Sequence, residues 1–290
     1  MARDLLAALR RGPLVCDGAM GTMLMASGVE ARCPEEINLI SPDTVRNVHA
    51  AYVAAGAEVV ETNSFGGSRI KLARAGMGDL VSEANLAAAR IAREAAGDAV
   101  LVAGSIGPLG EFLEPLGELS SSEAVSVFRE QAEALAEGGV DFFIVETMYD
   151  LGEARAALEG AAATGLPVVC TMSFDTNLHT MMGVSPSRAV EELRSAGAVA
   201  VGANCGVGPG EMLKVIEEMR RVDPEVWLVA QPNAGAPALE GARTVYSVGA
   251  EEMAEAARGF VALGVRLMGS CCGSSPDYTR AIVRALRAPA

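Results

Sequence analysis

Three cysteines have a spacing that indicates a metal site assembled by the fold. Cys271 and Cys272 are adjacent, and Cys205 lies 66 residues upstream. Adjacent cysteines hardly form an unstrained disulfide, because the S–S bond has a narrow geometric window and the intervening peptide is stiff. Two adjacent thiolates can, however, ligate one soft cation such as zinc, which accepts Cys ligands tetrahedrally. Three protein ligands leave a fourth position open, which is typical of a catalytic zinc site.

Two other interpretations of these cysteines are weaker. A zinc finger needs short-range ligand pairs on one hairpin, and the distance from Cys205 to Cys271 does not provide them. Buried core thiols are common in proteins, but two adjacent residues of an extended segment cannot both point inward. The other cysteines are assigned no role, because two lie inside predicted strands and one in a loop: Cys16, Cys170 and Cys33.

The elements that must position these thiols alternate along the chain. Short apolar runs rich in Val and Ile end in polar or glycine residues, and each is followed by a longer Ala/Glu/Arg segment with helical spacing. This alternation is typical of parallel β/α units. The predicted strands are residues 14–17, 58–62, 100–105, 142–147, 167–173, 198–204, 226–231 and 265–269.

Helices are predicted between the strands from their start signals. Residues 42–55 and 276–286 begin after Ser-Pro-Asp starts, and residues 121–137 begin with Ser-Ser-Glu. Eight β/α units in a chain of 290 residues predict an α/β fold, a (β/α)8 TIM barrel that forms a single domain over residues 1–290. A doubly wound open sheet is the alternative, but it would not bring the first and last strands together.

Polar residues follow the predicted strands where each strand ends. In a TIM barrel the active site lies at the carboxyl ends of the strands, so these side chains are expected at one mouth. Asn63 and Ser105, after the second and third strands, are therefore candidates for substrate binding. The remaining strand-end residues are Asp17, Glu61, Glu146, Ser173, Asn204, Cys205, Gln231, Asn233, Cys271 and Cys272.

Composition excludes several classes of function. The formal net charge of −14 leaves no basic footprint for nucleic acid and disfavours anionic membrane surfaces. No apolar run has the length of a signal peptide or a membrane span. We therefore expect a cytoplasmic protein whose sparse cysteines stay reduced and available as thiolates.

Six stretches of the chain resemble the homocysteine S-methyltransferase family. They are Asp-Gly-Ala-Met-Gly-Thr (17–22), Glu-Thr-Asn-Ser-Phe (61–65), Val-Glu-Thr (145–147), Gly-Ala-Asn-Cys-Gly (202–206), Gln-Pro-Asn-Ala-Gly (231–235) and Gly-Ser-Cys-Cys-Gly (269–273). The resemblance covers nearly the whole chain. One departure in the cysteine motif is Ser270, where the family more often has glycine.

The resemblance implies a zinc-dependent enzyme that forms methionine from homocysteine. Cys205, Cys271 and Cys272 would hold Zn2+, homocysteine would supply a fourth sulfur, and its thiolate would attack the methyl group of a donor. Glu146 matches the carboxylate that receives the homocysteine ammonium. Asp17 with the Gly18-Ala19 backbone matches the segment that meets the amino and carboxylate groups. Asn233 matches a residue that can occupy the fourth zinc position before the substrate arrives.

The sequence is least informative about the methyl donor. A betaine-using enzyme should surround a quaternary ammonium with aromatic faces, yet this chain has Phe65-Gly-Gly where betaine-using relatives place a Phe-Tyr pair. Methylcobalamin, carried by a corrinoid partner protein or module, is therefore the expected donor. The alternatives are betaine, S-methylmethionine, or a homocysteine-binding module that is active only with a corrinoid protein.

Overall fold

The computed structural model describes residues 3–240 and 243–287. Residues 1–2, 241–242 and 288–290, which belong to the predicted 1–290 domain, lie outside the described residues. The strands are β1 (Leu14–Val15), β2 (Val59–Glu61), β3 (Leu101–Ile106), β4 (Phe142–Met148), β5 (Val168–Met172), β6 (Ala200–Asn204), β7 (Leu228–Gln231), β8 (Pro237–Glu240), β9 (Arg243–Tyr246) and β10 (Val265–Met268).

Eight of these strands form one parallel barrel. Within the described residues their order is β1-β10-β7-β6-β5-β4-β3-β2, and every pair is parallel. The ring closes between β1 and β2, where Cys16 bridges Val59 and the Asp17 N–H donates to the Val59 carbonyl at 3.0 Å. All eight predicted barrel strands are confirmed, and closure excludes the doubly wound alternative, whose sheet has two open edges.

Helices lie between the strands, before the first of them and after the last. They are α1 (Leu5–Arg11), α2 (Met20–Ser27), α3 (Ile37–Ile40), α4 (Pro42–Ala55), α5 (Arg69–Arg74), α6 (Val81–Ala96), α7 (Ser121–Glu137), α8 (Leu151–Ala162), α9 (Pro186–Ser195), α10 (Pro209–Val222), α11 (Ala250–Ala262) and α12 (Pro276–Arg287). Helices α4 and α7 have the predicted bounds, and α12 ends one residue later than predicted. In α7, Ser120 and Glu123 form a reciprocal capping box that satisfies two backbone N–H groups of the first turn.

The amino-terminal helix α1 seals one end of the barrel. Its Leu5 and Leu9 are buried against inward-facing side chains from the first residues of the strands. Those partners include Leu14, Val59, Leu101, Phe142, Ile144, Val169, Val229 and Leu267. Because the amino ends of the strands are packed in this way, ligands can enter the barrel only from the carboxyl ends.

The connections from strands to helices carry extra structure at the open end. Helices α2 and α3 lie between β1 and α4, and the antiparallel hairpin β8–β9 lies between β7 and α11. This hairpin was not predicted. Of the helices in the described ranges, none has both the length and the apolar character that crossing a bilayer requires.

Candidate metal centre and substrate pocket

The three cysteines of the adjacent-pair pattern meet at the carboxyl ends of β6 and β10. Their Sγ atoms all lie within 4.8 Å of one another, and the Sγ atoms of Cys271 and Cys272 are 4.0 Å apart. Strand β7 lies between β6 and β10 and holds both ends in place. The Cys205 N–H donates to the Gln231 carbonyl at 3.0 Å, and the Cys271 N–H donates to the Pro232 carbonyl at 2.7 Å.

One member of the cluster is strongly biased towards the thiolate. The neighbouring thiols of Cys271 and Cys272 stabilise a Cys205 thiolate and lower the pKa of Cys205 to about 3. The same contacts, with burial, raise the pKa of Cys271 well above its usual value and that of Cys272 to about 11. The opposite directions describe one shared negative charge, so a divalent cation among the three sulfurs would release the remaining protons.

The donor set fits a zinc ion. Within the described residues, these three cysteines are the group of His, Cys, Asp or Glu side chains that could hold a metal. Soft thiolate donors favour zinc over the hard cations that prefer oxygen. Asn233 lies beside the cluster, where its side chain contributes to lowering the pKa of Cys205. Its Oδ1 is buried and has no hydrogen-bond partner in the described part of the chain.

Three carboxyl groups lie near the thiols, at the ends of β1, β2 and β4; Asp17 and Glu146 are buried, and Glu61 is half-buried. Asp17 accepts a hydrogen bond from the Glu61 N–H at 3.0 Å, and Glu61 accepts one from the Gln231 side chain at 2.5 Å. Glu146 accepts from the Ser105 hydroxyl at 2.6 Å. Burial is the largest cause that raises the pKa of Asp17, Glu61 and Glu146. None of these hydrogen-bond donors brings a positive charge to the three carboxyls.

The thiols and the carboxyls line one cavity of about 350 Å³. None of its described lining residues is Lys, Arg or His. A ligand with a positive charge at one end and a metal-binding atom at the other would match this wall. The lining residues with polar side chains are Asp17, Thr22, Glu35, Glu61, Thr62, Asn63, Ser64, Ser105, Glu146, Thr147, Asn204, Cys205, Gln231, Ser270, Cys271 and Cys272.

The Gly18-Ala19 turn forms the part of the wall beside Asp17. A Cβ atom at Gly18 would lie 2.6 Å from the Ser274 Oγ, so a larger residue there would have to displace that hydroxyl. The Ala19 N–H, expected to meet the substrate, donates instead to the Ser274 Oγ at 3.1 Å. Helix α2 begins at the next residue and has no side-chain cap, so its first N–H groups and helix dipole provide an anion-binding element at this wall.

The remaining predicted substrate residues differ in how their polar atoms are used. The Asn63 Nδ2 donates to the Pro34 carbonyl at 2.7 Å and to the Asn38 Oδ1 at 3.0 Å, so it fastens the β1–α4 connection to β2. Ser105 is committed to Glu146. Both line the cavity, whereas Asn233 lies beside Cys205. Direct contact of these three with a substrate stays a prediction.

Three features of the site were not predicted. One is the contact of Glu61 with Gln231, and another is the hydrogen-bond network around Asn204. The third is the position of Tyr246 on β9, whose ring lies so close to Gly273 that a Cβ atom there would be 2.2 Å from the ring. The Thr-Val-Tyr run at 244–246 was a strand signal, but only the fold shows what it covers.

Known proteins resemble this chain over almost its full length. The family model for homocysteine S-methyltransferase matches residues 14–286. A methionine synthase from Mycobacterium leprae (strain TN) is 32% identical over 304 aligned residues. The alignment covers 98% of this chain and 25% of that protein, so the chain spans about a quarter of the relative's length.

Two crystal structures of the homocysteine methyltransferase MmuM from Escherichia coli have a similar fold. The apo form has a TM-score of 0.74 and 26% identity, with 98% of each chain covered. The metallated form has a TM-score of 0.80 and 24% identity, with 98% of this chain and 99% of that chain covered. These matches confirm the predicted barrel and the predicted resemblance.

Proposed function

The chain belongs to the homocysteine S-methyltransferase family, and we propose that it transfers a methyl group to homocysteine to form methionine, with zinc held by Cys205, Cys271 and Cys272. The observation that carries this proposal is one cavity in which three thiols and three carboxyls meet, with no basic residue among its described lining. Homocysteine has the matching groups, a thiol at one end and an ammonium at the other.

Each part of the wall then has a role. Zinc, when bound to the three thiolates, supplies a Lewis acid that keeps a thiol ionised at neutral pH. Glu146 and Asp17 receive the ammonium, whose charge offsets the burial that raises the pKa of both carboxyls. The first turn of α2 faces the substrate carboxylate. Held at its α-carbon end, the amino acid presents its sulfur to the donor.

Methylcobalamin on a partner protein or module is the donor that we propose. In support, the exposed large apolar side chains of the described residues lie in strand-to-helix connections, at the end of the barrel where the donor must approach. The methionine synthase relative is about four times longer than this chain, which leaves length for such a module. The exposed side chains are Met25, Leu39, Ile40, Phe65, Phe112, Leu116, Met181 and Leu239.

One observation favours a second class of donor, a sulfonium or a quaternary ammonium. Tyr149 and Tyr246 lie close enough to the cysteines for the thiolate charges to contribute, after burial, to raising the pKa of both phenols. Tyrosine rings can hold such cations by cation–π attraction. Betaine and S-methylmethionine are therefore tested beside methylcobalamin.

A panel of methyl donors tests the proposal. The zinc-loaded chain is incubated with homocysteine and with methylcobalamin, a methylcorrinoid protein, S-methylmethionine or betaine, and methionine is measured by mass spectrometry. We expect methionine from the two corrinoid donors, and none from the Cys272→Ala chain, which lacks one zinc ligand.

Other outcomes of the panel have definite meanings. Methionine from betaine or S-methylmethionine alone would support the proposed methyl transfer but refute methylcobalamin as its donor. Homocysteine binding with turnover only beside the methylcorrinoid protein would make the chain a presenting module. No binding of homocysteine and no methionine from any donor would refute the proposed function. We propose the cytoplasm as the location, because reducing conditions keep the thiols free for metal.

A further inference from the structure

The side chain of Asn204 connects three neighbouring strands at the mouth of the barrel. Its Oδ1 accepts hydrogen bonds from the Thr147 N–H and the Thr171 hydroxyl, both at 2.7 Å. Its Nδ2 donates to Glu146 Oε2 at 3.1 Å and to the Thr147 hydroxyl at 2.7 Å. Asn204 lies on β6, Thr171 on β5 and the other two residues on β4. The amide therefore links the metal-binding strand to the strand of the ammonium-binding carboxylate.

The hydrogen bonds fix the orientation of this amide and use all of its donors and acceptors. The Thr147 N–H can only donate, so the atom that faces it must be the amide oxygen. A primary amide offers two donor hydrogens and two acceptor lone pairs, and all four are used here. Asn204 is almost fully buried. Since no hydrogen-bonding capacity is left for a ligand, any role in the reaction must act through the residues that it holds.

The two backbones that the amide connects are strained. Thr147 has φ of 60° and Cys205 has φ of 57°, and neither is glycine. The left-handed region costs a β-branched residue such as threonine more than most, and such conformations persist only where surrounding contacts impose them. The hydrogen bond to the Thr147 N–H is such a contact. On β6 the strained residue is itself a thiol of the metal site.

We propose that Asn204 is a positioning residue that sets the spacing between Glu146 and Cys205, and so makes the site select homocysteine over cysteine. The inference rests on the proposed function, in which the ammonium lies at Glu146 and the sulfur at the thiol cluster. Cysteine is shorter by one carbon–carbon bond, about 1.5 Å. A fixed spacing rejects the shorter amino acid, whereas a loose one accepts both.

Two substitutions of Asn204 test this role. Asn204→Ala removes all four hydrogen bonds. The isosteric Asn204→Asp keeps the acceptor, removes both donations to β4 and places a second carboxyl oxygen against Glu146, which should push Glu146 away from its present position. Zinc content is measured by mass spectrometry, and the affinities for homocysteine and cysteine by calorimetry on the zinc-loaded full chain. We expect each variant to keep its zinc, while homocysteine affinity falls by roughly 10-fold or more, since the loss of a hydrogen bond to a charged group costs about 1.5–3 kcal/mol. Cysteine affinity should change less, so the ratio of the two should fall.

Thr171→Val is the matched control. It removes one hydrogen bond to the same amide oxygen but leaves the contacts with Glu146 and Thr147 in place, so the affinity ratio should stay near that of the parent chain. Where the alanine variant does not fold, the isosteric Asn204→Asp carries the test. An unchanged ratio in a folded Asn204 variant would refute the positioning role alone. A parent chain that takes up no homocysteine would refute the proposed function instead.

Discussion

At their amino ends the barrel strands bury apolar side chains against helix α1, whereas at their carboxyl ends the same strands carry carboxyls, amides and thiols. Strand β4 shows the contrast within seven residues, since it begins with Phe142 in the sealed end and reaches Glu146 and Thr147 at the mouth. Strand β6 similarly begins with Ala200 and leads into Cys205.

The two ends therefore serve different purposes. At the sealed end the side chains packed around α1 form an apolar cluster, which contributes stability. The mouth keeps costly features, among them desolvated carboxyls, left-handed residues and unpaired polar atoms such as the Asn233 Oδ1. Such features are typical of functional sites, where stability is exchanged for binding. Substitutions at the two ends should consequently separate stability from ligand binding.

The largest effect is expected from the loss of a thiol at the mouth. Cys272→Ala should reduce the zinc content of the purified chain from one ion to near zero. Homocysteine affinity should fall by about 100-fold or more, because removing a direct ligand costs more than removing an outer-shell partner. Zinc is measured by mass spectrometry and binding by calorimetry. Cys33→Ala, which removes a half-buried thiol outside the cluster, is the control and should keep its zinc. A Cys272→Ala chain with one tightly held zinc would contradict the ligand assignment.

At the sealed end the expected effect is on folding. Leu9→Ala removes a fully buried side chain of α1 and should lower the free energy of unfolding by about 2–5 kcal/mol. Zinc content and homocysteine affinity of the folded chain should not change. Leu6→Ala on the same helix, at a partly exposed position, should cost less. Denaturant titration measures the stability, and a Leu9→Ala chain that lost zinc while folded would show that the two ends are coupled.

The buried carboxyls should make stability depend on pH. Burial, and then the charges of Glu146 and Asp17, raise the pKa of Glu61 well above its usual 4.5. Above pH 4.5 the unfolded chain loses this proton while the folded chain keeps it, so stability falls as pH rises through the window that starts there. Glu61→Gln removes the penalty. Its advantage over the parent in thermal melts should be absent near pH 4 and on the order of 1 kcal/mol at pH 8.

An exposed carboxyl provides the comparison for this pH series. Glu133→Gln, on the outer face of α7, changes the same chemical group where water solvates it. Its effect on stability should be small. If Glu61→Gln behaved like Glu133→Gln, the mouth would not carry the electrostatic cost that distinguishes it from the sealed end.

The barrel was predictable because each strand has its own local signal in the sequence. Val- and Ile-rich runs that end in polar residues define parallel strands, and the ring then brings the ends together without further information. The adjacent cysteines were recognisable by their type and spacing. The position of helix α1 over the amino end of the barrel was not predicted, because the sequence of an amphipathic helix does not indicate which surface it packs against.

Contacts between distant strands could not be predicted either. Glu61 meets Gln231 across 170 residues of chain, and Asn204 meets Thr147 across 57. Glu61, Gln231 and Asn204 were predicted at the mouth, but the choice of partner depends on side-chain directions and on barrel closure. A pattern in the sequence places a residue at a strand end, and only the register between strands decides what it touches.

The smallest expected effect concerns two serines on one loop. The Ser270 Oγ is buried without a partner in the described part of the chain, whereas the Ser274 Oγ accepts from the Ala19 N–H at 3.1 Å and donates to the Cys271 carbonyl at 2.7 Å. Ser270→Ala should therefore raise the free energy of unfolding by up to about 1 kcal/mol, since it removes an unsatisfied polar group. Ser274→Ala should lower it by roughly 1–3 kcal/mol, since it leaves a buried N–H unpaired. Denaturant titration should show changes of opposite sign in the free energy of unfolding for these two substitutions, which are four residues apart. Equal signs would mean that the Ser270 hydroxyl has a partner, such as a bound water, and that the mouth carries less unpaired polarity than its contacts indicate.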